Sequence, residues 1–375
     1  MQEPTQAVKA SRAPASIGGL LLAAALLLTV TAGGLAQPPA PDANGAGTPA
    51  ITSPSPLGTI SYTPGRGARL GETGFALGGY SSLDLVRDEG SPARLSLDDL
   101  SFFLIADPTP RVHLFSELEI EDLVEIDDHG RGGATDANFV LERLYGDLAF
   151  SDHLALRAGK FLTPVGRWNV IHAQPLVWTT SRPLATLLPF DVHTTGAMLF
   201  GSFFQEKRTL SYELFGQFTD QLYDTEPHRP TWPRTDRSGG ARLEYGTSGG
   251  WSIGTTYLAF TDAGRWRHVT GLDGLWRSDS VELMSEFVHS AASDGAGTEW
   301  GLYLQAVGEV LPRIYLVGRY EHYEQRAPGP TVNIGVAGLA FKPLPYLLLK
   351  VEYLFADERC EESPPGFKSS VAILF

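Results

Sequence analysis

Glu117, Glu119 and Glu121 stand two residues apart. On an extended strand that spacing stacks three carboxylates on one face, roughly 7 Å from one to the next. Further along, Arg157, Lys160, Arg167 and Arg182 gather positive charge around one segment. Opposed acidic and basic walls across a low-dielectric cleft would set up a field acting on the charge of a passing solute. That is the chemistry of selection, with no bond made or broken. The sequence holds no Gly-x-Ser-x-Gly, His-Glu-x-x-His, phosphate loop or Cys-x-x-Cys. Its nine histidines are scattered, with no convincing pair at ligand spacing. No catalytic residue, metal site or cofactor is therefore expected. The single cysteine, Cys360, can form no intrachain disulfide, and the charges of Glu361 and Glu362 disfavour its thiolate.

The elements that would carry these residues read as strands. Val112, Leu114, Ser116, Leu118 and Ile120 share one face, opposite His113, Phe115 and the three glutamates. The same period-two alternation of apolar with polar or small residues recurs near 74–86, 95–106, 111–122, 138–150, 154–162, 194–204, 209–219, 239–247, 251–261, 267–277, 280–289, 299–309, 313–323, 331–341, 346–356 and 366–375. Helical i, i+3, i+4 spacing is missing, and Gly and Pro interrupt the segments. Short links such as 107–110, 151–153 and 278–279 alternate with longer ones such as 123–137, 163–193 and 357–365. Short turns at one end and long loops at the other characterise transmembrane barrels. The pattern predicts an all-β, antiparallel transmembrane β-barrel of about sixteen strands, its short turns periplasmic and its longer loops outside.

The amino terminus fits export. Lys9 and Arg12 precede the uncharged apolar run Ile17–Val30, and Gly34-Leu35-Ala36 offers small residues for cleavage. Residues 1–36 therefore read as a signal peptide. Residues 37–70, rich in Pro, Ala, Gly, Ser and Thr, read as a flexible linker, and 71–375 as the barrel. After Ala36 no apolar run approaches the length of a spanning helix. The net charge of −14 argues against nucleic acid as a partner. The chain ends on Phe375, with Phe367, Val371 and Ile373 on the same face. This resembles the carboxy-terminal signal read by the bacterial barrel-assembly machinery.

Residues 163–193 are too long to be an ordinary link. They combine apolar and aromatic residues with Arg167, Arg182 and His193, which suits a loop folded into the barrel with its apolar side on the wall. Just before it runs Arg157-Ala158-Gly159-Lys160-Phe161-Leu162-Thr163-Pro164-Val165-Gly166, and before that Leu144-Tyr145-Gly146-Asp147-Leu148-Ala149-Phe150. These segments resemble the phosphate-selective porin O and P family over about residues 140–200. The resemblance implies a sixteen-stranded, homotrimeric porin of the Gram-negative outer membrane whose long third loop narrows the pore. The sequence departs from that family's runs of inward Arg and Lys, because Glu213, Glu244, Glu282, Glu286, Glu321 and Glu352 share the lumen face with Arg143, Arg242, Arg319 and Lys350.

The expected function is passive diffusion of small hydrophilic solutes or ions through a barrel in contact with outer-membrane lipid. Arg157, Lys160, Arg167 and Arg182 would form the anion-facing side of the constriction, and Glu117, Glu119 and Glu121 the opposing wall. Anions such as phosphate are the substrates the resemblance implies. A closed barrel acting as a surface binding or adhesion protein is the alternative from another class. A lumen or rim hydrolase is a third, for which the sequence nominates no residue.

Overall fold

The computed structural model describes residues 51–375 apart from 56–57, 129, 131, 135–137, 172, 220–221, 223–232, 234, 296 and 328. The strands, in chain order, are β1 (Ile51–Ser55), β2 (Gly58–Thr63), β3 (Gly67–Leu70), β4 (Phe75–Asp88), β5 (Arg94–Thr109), β6 (Val112–Asp127), β7 (Gly132–Ala134), β8 (Asn138–Ser151), β9 (Leu154–Leu162) and β10 (His193–Gln205). There follow β11 (Arg208–Gln217), β12 (Thr235–Thr247), β13 (Trp251–Asp262), β14 (Arg265–Arg277), β15 (Val281–Ala292), β16 (Thr298–Leu311), β17 (Ile314–Glu324), β18 (Thr331–Leu344), β19 (Leu347–Ala356) and β20 (Gly366–Leu374).

Sixteen of these, β4–β6 and β8–β20, form a closed antiparallel barrel. Each pairs with its sequence neighbour, and β20 returns to β4 from Gly366↔Asp88 to Leu374↔Tyr80. Closure satisfies the backbone groups that an open edge would expose to lipid. All sixteen segments read from the alternation are present, and every second link, at the turn end, is short. The long-loop end is less uniform than expected, since residues 89–93 and 263–264 also make brief connections there.

The barrel is inside-out. On β6, Leu114 and Leu118 are 45% and 46% exposed on the outer face, whereas Glu117 and Glu119 are buried in the lumen. Leu210, Leu214, Leu316, Leu339, Val351 and Phe355 continue the outward apolar surface. Charged residues sit inside and apolar ones outside only when the surrounding solvent is hydrocarbon. Phe150, Phe203, Trp251 and Trp276, close to the short turns, are exposed in the position of an aromatic girdle. Tyr323 instead turns inward and donates to Glu299 Oε2 at 3.1 Å.

The linker reading of 37–70 is corrected for its second half. Residues 51–70 hold β1, β2 and β3, an antiparallel meander. β3 pairs with β4 through Leu70↔Phe75 and Ala68↔Leu77, on the edge that β20 leaves open past Tyr80. An unpaired edge of that kind recruits whatever backbone is near it, and composition alone does not reveal the demand. The segment 1–36 that reads as a signal peptide, and residues 37–50, lie outside the described residues.

The seam is completed by the last residue. The Phe375 N–H donates to Gly79 O at 2.9 Å, and the Gly79 N–H donates to Phe375 O at 3.0 Å. The Phe375 ring meets Phe102 edge-on at 6.0 Å. A Cβ on Gly79 would overlap the Ser101 carbonyl oxygen and stand 2.8 Å from the Phe375 ring. Gly79→Ala is therefore expected to impair closure. On an unheated gel its heat-modifiable folded band should fall well below that of a control, Gly90→Ala, whose Cβ meets nothing within 4 Å.

Candidate functional site: the lumen and its inner loop

The connection from β9 to β10, residues 163–192, folds into the barrel. It contains one helical turn, Trp168–Ile171, and two 3-10 turns, Gln174–Leu176 and Leu184–Thr186. Its apolar side packs on one half of the wall. Phe190 and Val165 join Phe215, Leu258, Phe260 and Val288. Leu184 and Leu188 join Val332, Ile334 and Leu354. Trp168 and Val177 meet Met284 and Tyr303.

A loop with little regular structure presents backbone N–H groups that must find acceptors once buried. Here wall carboxylates supply them. Glu286 Oε1 accepts from the Trp168 N–H at 2.8 Å and the Tyr303 hydroxyl at 2.7 Å. Glu321 Oε2 accepts from the Leu184 N–H at 3.0 Å. Glu352 accepts from the N–H groups of Thr180 and Ser181 at 3.1 and 2.7 Å. Glu282 Oε1 accepts from the Trp178 indole at 3.0 Å. Wall cations take the carbonyls: Lys350 Nζ donates to Gln174 O and Thr179 O at 3.0 and 3.1 Å, and Arg319 Nη1 to Ser181 O at 2.9 Å. Gly166, at φ +67°, lets the backbone pass against Glu286, whose carboxylate a Cβ there would overlap.

With the loop held on the β10–β19 side, the space above and beside it lies largely against β4–β8, and the space below it, toward the turns, opens mainly among β8–β15. Three abutting cavities occupy this space. The first, about 620 Å³ at the long-loop end, is lined by Asp84, Asp88, Asp98, Glu361 and Glu362 with Arg94 and Lys368. The second, about 210 Å³, is the narrow gap between loop and wall. It shares Asp98, Gln174 and Thr180 with the first. Asp98, Asp99, Glu119, Glu121 and Glu142 line it, opposite Arg182 and beside His193. The third, about 640 Å³ toward the turn end, shares Trp168 with the gap and is lined by Arg143, Arg157, Arg167 and Arg242 among others.

Two irregularities load the gap with acid. Register slips where β5 meets β4 and β6, around Ser82 and Asp98, so the consecutive residues Asp98 and Asp99 both line it. β8 bulges at Glu142, between the pairs Glu117↔Arg143 and Leu118↔Leu141. Glu142 then faces the gap at 3.0 Å from His193 Nε2, while Arg143 turns inward beside it to bind Glu117. Strict alternation hides such sites. The signal in the sequence is a pair of adjacent charges inside an alternating strand.

The seven charged residues singled out by sequence are not one cluster. Glu119 and Glu121 face Arg182 across the gap. Arg182 is also an internal brace of the loop, donating from Nη2 to Asn169 Oδ1 and Thr186 O, both at 2.7 Å. Arg157 and Arg167 lie in the turn-end cavity. Arg157 grips both oxygens of Asp147 at 2.7 and 2.8 Å, with its guanidinium 3.7 Å from the Tyr145 ring centre. Arg167 stands 2.7 Å from Asp273 and 3.1 Å from Glu244. Glu117, bound to Arg143, and Lys160, only 3% exposed, line none of the three cavities. Cys360, in the last outer loop, is buried, which together with the hydrogen bond to Glu362 pushes its thiol up to about 11. Among the described residues no group of three or more His, Cys, Asp or Glu is arranged to hold a metal ion.

Glu352 carries two loop N–H bonds, each worth about 1.5–3 kcal/mol because the acceptor is charged. Glu352→Ala is expected to release the 179–182 stretch, visible as current flicker in single-channel records and as new protease cuts there. Glu125→Ala, at a half-buried site paired only loosely with Arg94 at 3.9 Å, should change neither.

No family model matches the chain. An uncharacterized protein of Aquifex aeolicus (strain VF5) is 24% identical over 362 residues, spanning 80% of each chain. Among solved structures, Salmonella typhi OmpF in complex with daunomycin is similar at a TM-score of 0.58 and 11% identity, covering 80% of this chain and 97% of that one. An anion-selective porin from Comamonas acidovorans is similar at 0.57 and 13%, covering 80% and 98%. The trimer form of OmpT, an outer membrane protein of Vibrio cholerae, is similar at 0.53 and 9%, covering 80% and 99%. The fold is that of the outer-membrane porins.

Proposed function

We propose that this chain is a porin of the Gram-negative outer membrane, a passive path for small hydrophilic solutes that is narrowed by its inner loop. The observation that carries the reading is the run of three abutting, charge-lined cavities left beside the anchored loop. A closed adhesion barrel would have no need to keep polar, charge-lined space through its lumen.

Charge preference follows from the narrowest part. Acids outnumber bases in the gap and in the cavity above it, and carboxylate-lined constrictions favour cations. Anions such as phosphate are the second reading, favoured by Arg143, Arg157, Arg167 and Arg242 around the turn-end cavity and in keeping with the solved porin described as anion-selective. A homotrimer in outer-membrane lipid completes the proposal, supported by the apolar outer surface and by the similar structure described as a trimer form. Phe375, at the closing seam, is the terminal residue that the assembly machinery would read.

Single-channel recording of the refolded protein across a KCl gradient tests both levels. Stepwise conductance with a cation-side reversal potential is expected, moving toward zero in the double variant Glu119→Gln, Glu121→Gln. An anion-side value would overturn the cation preference and favour the arginines. A correctly folded barrel with no conductance would overturn the porin reading.

A further inference from the structure

The turn-end cavity has a lining that a mere water channel does not require. The inner loop points Val170, Ile171 and Leu176 into it, at 40%, 40% and 55% exposure. Large apolar side chains left facing an aqueous lumen, although the same loop buries Trp168, Val177 and Leu188 on the wall, form a contact surface waiting for apolar matter.

Charges of both signs surround that surface. Arg157 is held flat, clamped by Asp147 and lying over Tyr145, which fixes its direction before any guest arrives. Arg167 lines the cavity while its Nε and Nη2 pair with Asp273 and Glu244 on the wall behind it. Glu213, on β11, brings a carboxylate to the same cavity.

We infer that the turn-end cavity is a binding subsite for small zwitterions with an apolar body, the chemistry of an apolar amino acid. The guest's carboxylate meets the guanidinium groups of Arg157 and Arg167. Its ammonium meets Glu213, and its side chain covers Ile171 and Leu176. A volume of about 640 Å³ accommodates such a molecule with water around it. Zero net charge also suits passage from the acidic gap into an arginine-lined cavity, where a simple anion or cation would meet like charge on one side. The inference rests on the porin reading for its purpose, but the site can be tested on the solubilised barrel without any current.

The test is equilibrium titration of the folded, detergent-solubilised protein with L-phenylalanine, glycine, 3-phenylpropionate and 2-phenylethylamine. Phenylalanine should bind about tenfold more tightly than each of the other three, which lack its apolar body, its ammonium or its carboxylate. Leu176→Ser should weaken phenylalanine binding about fivefold, the worth of covering roughly half a leucine side chain. Glu213→Gln should weaken phenylalanine binding while leaving 3-phenylpropionate unchanged or tighter. Equal binding of phenylalanine and 3-phenylpropionate would overturn the role of Glu213 and, with it, the zwitterion subsite. Binding of glycine as tight as that of phenylalanine would overturn the apolar contact. No binding at all by a barrel that still conducts would overturn the subsite and leave the porin reading intact.

Discussion

Carboxylates on the barrel wall that accept backbone N–H groups of the inner loop are the constraint on which the rest of the structure depends. Glu286, Glu321 and Glu352 lie on three different strands and together take four N–H donors spread from Trp168 to Leu184. A thirty-residue connection without long helices could not otherwise be buried, because each unpaired N–H would carry its full desolvation cost. The same acids would be expensive in the lumen without these donors. Loop and wall therefore satisfy one another, and the lumen charges on this side act as anchors before they act as a field.

That anchoring decides where solutes can go. The loop's apolar side chains seal it against β10–β19, so the gap beside it is left on the β4–β8 side. There the register slip at Asp98 and the bulge at Glu142 add acids to those of Glu119 and Glu121. Charge is thus segregated along the passage, acidic through the outer cavity and gap, and rich in guanidinium below them. The outer surface does different work. Its leucines, valines and phenylalanines face hydrocarbon, and closure through β20 and Phe375 leaves no barrel edge to solvate.

The barrel was legible in the sequence because period-two alternation is enforced residue by residue when one face meets lipid and the other water. The inward folding of 163–192 was legible from apolar content that no water-exposed loop would need. The details of the site were not. Alternation assigns one residue in two to the lumen, so it passes over Asp99 beside Asp98 and treats Glu142 and Arg143 as facing opposite ways. Glu282, Glu286, Glu321 and Glu352 read correctly as lumen residues, but nothing local says that their partners are N–H groups more than a hundred residues away. The strands in residues 51–70 were hidden for a related reason. Their composition suits a linker, and what orders them is the edge of β4.

The most direct measurement of the central claim is the single-channel conductance of a chain in which Trp168–Phe190 is replaced by a short Gly/Ser link. An inner loop that occupies the lumen and defines the passage predicts a conductance above that of the intact protein, together with loss of most charge preference, since Arg182 and the wall of the gap are removed together. An unchanged conductance and reversal potential from a folded, closed barrel would contradict the account, because the constriction would then have to lie elsewhere.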